Sequence, residues 1–211
     1  MSEQLEIWSI PPEQVATPAA VHDFNKSLAV SHRASDLPIW EEIYRATFPG
    51  YLGMVDCRQD GHHQRQGVDR IVSVSTELGV RQVLVDEKIR PTFCLDKWRR
   101  RPFTFDVAIE FWHEGPNYKA AGWACKPLDA QYIAYAVARL GQGCLLPVAQ
   151  LQQAWVKHGQ RWIHTYRRPH HCSRNKGFVT HWVPVPLPEL FKQIGAEYRF
   201  VFTPVVVDLE D

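Results

Sequence analysis

The strongest constraint on the fold comes from two short apolar segments, GVDRIV at 67–72 and VLVDEKIR at 83–90, with a turn signal at 77–79 between them. β-Branched residues are frequent in both segments, and glycine or polar residues bound them. This composition is typical of strands. We therefore predict two neighbouring strands that pair as a hairpin.

The second segment carries an Asp-x-Lys pattern near its end. Side chains two residues apart project from the same face of a strand, so Asp86 and Lys88 should lie together, with Glu87 on the opposite face. If the strands pair, Asp69 arrives beside them at one edge of the sheet. Strand interiors disfavour aspartate, and two carboxylates with one ammonium can hold a divalent metal for phosphodiester hydrolysis. The alternative is that Asp69 simply begins a strand beside Arg70, and that Asp86 and Lys88 form a solvated ion pair.

The remaining pattern predicts further helices and strands around this hairpin. Predicted helices cover residues 22–48, 147–162 and 188–194, predicted strands cover 52–58, 103–112, 130–137, 178–185 and 200–207, and 60–66 and 161–176 are expected to be irregular. We expect an irregular lead-in over 1–20, a single domain over 21–207 and an acidic tail over 208–211. The fold class is a mixed α+β or α/β core.

Composition narrows the class of protein. A chain of 211 residues can bury the core of one domain, and its net charge of +1 gives it no overall polybasic character. The five cysteines are odd in number and never spaced as C-x-x-C, which favours reduced thiols over a disulfide framework. No signal peptide is recognisable, and no apolar run approaches the roughly 18 residues of a membrane span. We expect a cytoplasmic protein without a membrane partner.

The order of these elements resembles the PD-(D/E)XK nuclease superfamily. The matching motifs are Gly67-Val68-Asp69 and Asp86-Glu87-Lys88, followed by a later strand and helix at 129–137 and 146–155. The resemblance covers residues 35–190, with two departures: no proline precedes Asp69, and the second acid is aspartate instead of the more frequent glutamate. It implies a restriction-endonuclease-like core, in which helices flank a central mixed β-sheet.

The resemblance also implies roles for individual residues. Asp69 and Asp86 would hold Mg²⁺ or Mn²⁺, and Lys88 would position or help to deprotonate the attacking water. Glu42 on the first helix would be a third metal ligand, although an exposed helical glutamate is the usual state of such a residue. Gln66 would contact the metal or the water. The implied activity is metal-dependent endonucleolytic hydrolysis of DNA, and such folds often form homodimers to cut two strands.

Two basic segments, 97–101 and 161–176, mix cations with aromatic residues, a combination that meets phosphates and stacks on bases. A solvated charged face is the alternative explanation of such runs. The candidate nucleic-acid-binding residues are Arg99, Arg100, Arg101, Arg167, Arg168, Arg174 and Lys176.

Two alternative functions stay open from the sequence, and a zinc site is a separate hypothesis. The chain could be a nucleic-acid-binding or regulatory module that keeps the nuclease fold without catalysis. It could be an unrelated hydrolase acting on sugars through a carboxylate pair. The run His170-His171-Cys172 raises a zinc site, which would need Cys57, Cys94 or His181 to complete it. Glu110 in the third predicted strand is a reserve candidate for the site.

Overall fold

Two β-sheets and four α-helices make up the part of the chain that the computed structural model describes, residues 36–90, 105–167, 171–175, 177–195 and 200–202. The helices are α1 (Ile39–Thr47), α2 (Gly61–Arg65), α3 (Val148–Tyr166) and α4 (Leu187–Ile194). The strands are β1 (Tyr51–Asp56), β2 (Arg70–Thr76), β3 (Gly79–Arg90), β4 (Asp106–Gly115), β5 (Tyr118–Ala121), β6 (Tyr132–Val137), β7 (Gln142–Pro147), β8 (Cys172–Asn175), β9 (Phe178–Pro186) and β10 (Phe200–Phe202).

The first sheet is mixed and has the strand order β1-β2-β3-β6-β7-β10. Its neighbours are antiparallel except for β3 and β6, which run parallel. The predicted hairpin is present: β2 and β3 pair from Thr76 opposite Gly79 to Arg70 opposite Val85. The coarse fold prediction, a mixed α+β structure with a central mixed sheet flanked by helices, is therefore confirmed.

Alternation along the strands gives this sheet two apolar faces. One face packs on α1, whose buried residues Ile39, Trp40, Ile43 and Tyr44 recur at helical spacing and meet valines of β2 and β3. The other face packs against α3, α4 and the second sheet, which is antiparallel with the order β5-β4-β9-β8. Each face of the first sheet is thus covered by a separate hydrophobic core.

Two segments expected to be irregular are partly regular. Residues 60–66 contain α2, because the Asp60 side chain accepts a hydrogen bond from the His62 backbone N–H and caps the helix. In the basic segment, α3 continues to Tyr166 because Trp162 is buried in the same core as Trp155. Strand β8 follows, held by its pairing with β9.

Several predictions lie outside the described residues. These are the lead-in, the first part of the 22–48 helix, the acidic tail and most of the last predicted strand. The prediction of one domain over 21–207 stays a prediction. Within the described ranges, no helix is both long enough and apolar enough to cross a membrane.

Candidate metal centre

Asp69 and Asp86 meet where the pairing of β2 with β3 stops. The last registered pair is Arg70 opposite Val85, so continuing the same register by one residue places Asp69 opposite Asp86. Residues directly opposite in an antiparallel pair have Cβ atoms about 4.5–5.5 Å apart. The Asp69 carboxyl is close enough to raise the pKa of Asp86. The centre therefore lies at the end of the β2–β3 ladder, beside the interior strand β3.

The Asp69 side chain completes that ladder. Its Oδ2 accepts a hydrogen bond of 2.8 Å from the backbone N–H of Glu87, and its own N–H donates to the Val85 carbonyl at 2.9 Å. An unpaired N–H in this half-buried position would be unfavourable. The carboxylate of Asp69 is thus held in place by the backbone of the strand that carries Asp86.

Asp86 is buried, with its side chain only 5% exposed. Burial and the neighbouring Asp69 carboxyl raise the pKa of Asp86 to about 7, although the ammonium of Lys88 opposes them. A carboxylate in this position is therefore poorly stabilised by the protein alone. A nearby positive charge would favour its ionised form.

Lys88 lies on the same face as Asp86, as strand alternation predicts. Its Nζ donates a hydrogen bond of 2.6 Å to Asp86 Oδ1, and 32% of its side chain is exposed. Burial acts to lower the pKa of Lys88, but attraction by Asp86, Asp69 and Glu110 outweighs it and raises that pKa above its ordinary value. Lys88 is therefore an ammonium group, which suits charge stabilisation better than proton abstraction from water.

Glu87 projects from the opposite face, as strand alternation predicts, and its basic partner is Arg70, whereas Arg90 pairs with Asp106. Tyr44 Oη and Arg70 Nε both donate to Glu87 Oε1, at 2.9 and 3.0 Å. Arg70 also reaches Asp56 on β1, with 3.3 Å between Nη1 and Oδ2. The Glu87 side chain is 4% exposed, and burial raises its pKa to about 7 despite Arg70 and Tyr44.

The structure does not bring Glu42 to this centre. Glu42 lies on the exposed side of α1, and α1 packs on the Glu87 face of the sheet, away from Asp86 and Lys88. Over the described ranges, no three His, Cys, Asp or Glu side chains are arranged to hold a metal ion. Gln66 is half-buried at the C-terminal cap of α2, where its carbonyl accepts the Asp129 N–H at 3.2 Å.

Only some of the predicted nucleic-acid-binding residues lie in the described part of the chain. Arg167 is buried, donates to His181 Nδ1 at 3.1 Å and lies over the Phe111 ring at 5.9 Å, so it packs in the protein instead of facing a phosphate. Arg174 is half-buried on β8. The remaining candidates, Arg99, Arg100, Arg101, Arg168 and Lys176, lie outside the described residues.

The described residues do not support the hypothesis of a zinc site. Cys172 and His181 are opposite each other on β8 and β9, but no third ligand joins them there. His171 is buried and stacks on Trp182, with ring centroids 4.7 Å apart. His170 and Cys94 lie outside the described ranges.

Comparison with protein-family models, with curated proteins and with solved structures gave no match to this chain.

Proposed function

We propose that this chain is a metal-dependent endonuclease that hydrolyses phosphodiester bonds of DNA, built on a restriction-endonuclease-like core of the PD-(D/E)XK type. The observation that carries the proposal is the register of β2 and β3, which places Asp69 opposite Asp86, with the Lys88 ammonium 2.6 Å from Asp86. An Asp-x-Lys pattern alone is weak evidence for a nuclease. It is stronger evidence here because a second acid, from the segment that leads into the neighbouring strand, lies beside it.

The donor set fits a small divalent cation. Two ionised carboxylates beside one ammonium leave a net negative charge, and two like charges 4 Å apart repel by about 4 kcal/mol at an effective dielectric constant of 20. Mg²⁺ and Mn²⁺ prefer oxygen ligands, and Mg²⁺ commonly uses one or two carboxylates together with waters and substrate phosphates. Asp69 and Asp86 would therefore suffice as protein ligands without Glu42.

Each residue then has a defined task. When bound, the cation supplies Lewis acidity, lowering the pKa of water and offsetting phosphate charge. Asp69 and Asp86 hold and orient it, and the Glu87 N–H fixes one Asp69 oxygen. Lys88, partly exposed, places its ammonium where it can stabilise negative charge that develops on the scissile phosphate.

DNA as the substrate is supported by positive charge on α3. The 19-residue sequence of this helix contains no aspartate or glutamate, and Lys157 and Arg161 are exposed on it four residues apart, with Arg161 also paired to Glu189 of α4. Residues so spaced share one face of a helix, and cations there suit phosphate contacts that do not read sequence. A homodimer would place two such centres on one duplex, one for each strand.

A plasmid-nicking assay tests the proposal. Supercoiled plasmid is incubated with Mg²⁺ or Mn²⁺ and with wild-type protein, Asp86→Asn or Lys88→Met. The matched controls are Asp36→Asn and Lys119→Met, which change exposed residues. We expect metal-dependent nicking by the wild type and both controls, and at least a hundredfold loss in both site variants. Undiminished nicking by Asp86→Asn would contradict the proposal.

The second candidate is a nucleic-acid-binding module without catalysis. The absence of a third acidic ligand among the described residues favours it. Binding of plasmid, single-stranded, branched or RNA substrates without cleavage of any of them would select this alternative. A sugar hydrolase is disfavoured, because its two carboxyl groups would face each other across a cleft, about 5–9.5 Å apart, whereas the strand register places Asp69 and Asp86 side by side in one sheet.

A further inference from the structure

We propose that Tyr44, Glu87 and Arg70 form a buried positioning cluster that orients the Asp69 carboxylate toward Asp86 from the opposite face of the sheet. This inference rests on the proposed metal-dependent function, because it assigns the cluster to the same centre. The three residues touch no substrate and act through the backbone of β2 and β3.

Strand alternation ties the cluster to the centre. Glu87 stands between Asp86 and Lys88 in sequence, and Arg70 follows Asp69, so each partner of the buried ion pair is the chain neighbour of a site residue. Movement of Glu87 or Arg70 therefore moves the backbone that carries the site. The two faces of the sheet are coupled at this position.

The ion pair lies at the end of the β2–β3 ladder, next to the last backbone hydrogen bond between the two segments, from the Asp69 N–H to the Val85 carbonyl. Beyond Arg70 and Val85, no further residue pair joins β2 to β3. The Arg70 Nε bond of 3.0 Å to Glu87 Oε1 crosses between the strands at this point, and the Glu87 N–H bond of 2.8 Å to Asp69 Oδ2 crosses beside it. The backbone of Glu87 is paired with β6, and the first bond adds a hold on its side chain. The second bond links the same residue to the Asp69 carboxylate.

Stability alone does not explain a charged cluster here. Glu87 is almost fully buried beside valines of β2 and β3, and its Oε2 atom has no hydrogen-bond partner among the described residues. A buried acceptor without a partner is unfavourable by about 1–3 kcal/mol. Apolar residues often replace buried ion pairs without loss of stability. A role in setting the geometry of the neighbouring carboxylates accounts for the cluster.

The test removes one hydrogen-bond donor and preserves packing. Tyr44→Phe deletes the hydroxyl that donates to Glu87. Tyr132→Phe is the matched control, since Tyr132 packs in the same core and its hydroxyl makes no hydrogen bond within the described part of the chain. Two readouts are compared: Mg²⁺ affinity by calorimetry, and exchange of the Glu87 amide proton by NMR. Urea unfolding of each variant separates local loosening from global destabilisation.

We expect Tyr44→Phe to weaken Mg²⁺ binding about tenfold, the lower end for residues that orient metal ligands. It should also speed Glu87 amide exchange beyond what its global stability explains, whereas Tyr132→Phe changes neither readout. Unchanged Glu87 exchange in Tyr44→Phe overturns the inference. If the wild type binds no Mg²⁺ but Glu87 exchange still responds, the positioning of Asp69 stands and the proposed metal function falls. Should Tyr44→Phe not fold, Glu87→Gln, which keeps an acceptor at Oε1, is compared with Glu87→Met in the same two readouts.

Discussion

Replacing Asp86 by asparagine should stabilise the metal-free protein while it destroys the centre. The pKa of Asp86 rises from 3.8 to about 7 on folding, chiefly because the side chain is buried. The folded state therefore binds the proton more tightly than the unfolded state, and folding stability falls as the pH rises from about 4 to about 7. Above pH 7 the folded protein bears the full free-energy cost of ionising the buried Asp86. Asparagine keeps the shape of the side chain and removes the charge.

The magnitude follows from the pKa shift. One pKa unit corresponds to about 1.4 kcal/mol, so a shift of about three units amounts to roughly 4 kcal/mol above pH 7. Part of this free-energy cost is already present at pH 5. The stability difference between Asp86→Asn and wild type should therefore grow by about 2–3 kcal/mol between pH 5 and pH 8. Glu87, whose pKa is also raised, is present in both proteins and cancels in the comparison.

Urea denaturation at pH 5 and pH 8, with a chelator present, measures this difference. Asp36→Asn, which removes the charge of an exposed aspartate, should show no such growth. A difference between Asp86→Asn and wild type that does not change with pH would refute the reasoning. So would an Asp86→Asn protein less stable than wild type at pH 8. Addition of Mg²⁺ should then raise the stability of the wild type and leave Asp86→Asn unchanged.

Three further substitutions test the surroundings of the centre. Gly67→Ala should lose about 1–2 kcal/mol of unfolding free energy in urea, because φ is +69° there and the new Cβ would lie 2.9 Å from Leu128 Cδ2. Asp106→Ala should lose about 3 kcal/mol by the same measurement, because it leaves Arg90 without its buried ion-pair partner; a loss below 1 kcal/mol would contradict this. Trp162→Ala should lose about 3–5 kcal/mol and lower the helical circular dichroism of α3, whereas an unchanged spectrum and stability would mean that the end of α3 is not packed in the core.

The hairpin and the meeting of its acids could be predicted because strand alternation is a local rule. GVDRIV and VLVDEKIR carry enough β-branched residues to be recognised, and the two-residue period puts Asp86 and Lys88 on one face without knowledge of the rest of the fold. Whether Asp69 lies opposite Asp86 depends on the register between β2 and β3. Register is set by the turn at 77–79 and by burial of the valines.

The cluster behind the centre could not be predicted, because its members come from separate elements. Tyr44 lies on α1, and nothing in the sequence specifies which face of the sheet that helix covers. Once α1 lies on the Glu87 side, Tyr44 becomes a partner of Glu87, and Glu42 is directed away from the acids. The same limit applies to β8, whose four residues have no strand pattern and are held by pairing with β9.

The most direct test of the account is a crystal structure of the protein with Mn²⁺, examined by anomalous scattering at the manganese edge. The account predicts an anomalous peak between Asp69 and Asp86, within about 2.5 Å of a carboxylate oxygen of each. The peak should vanish in Asp86→Asn. A manganese-soaked crystal with both side chains ordered and no peak between them would contradict the account.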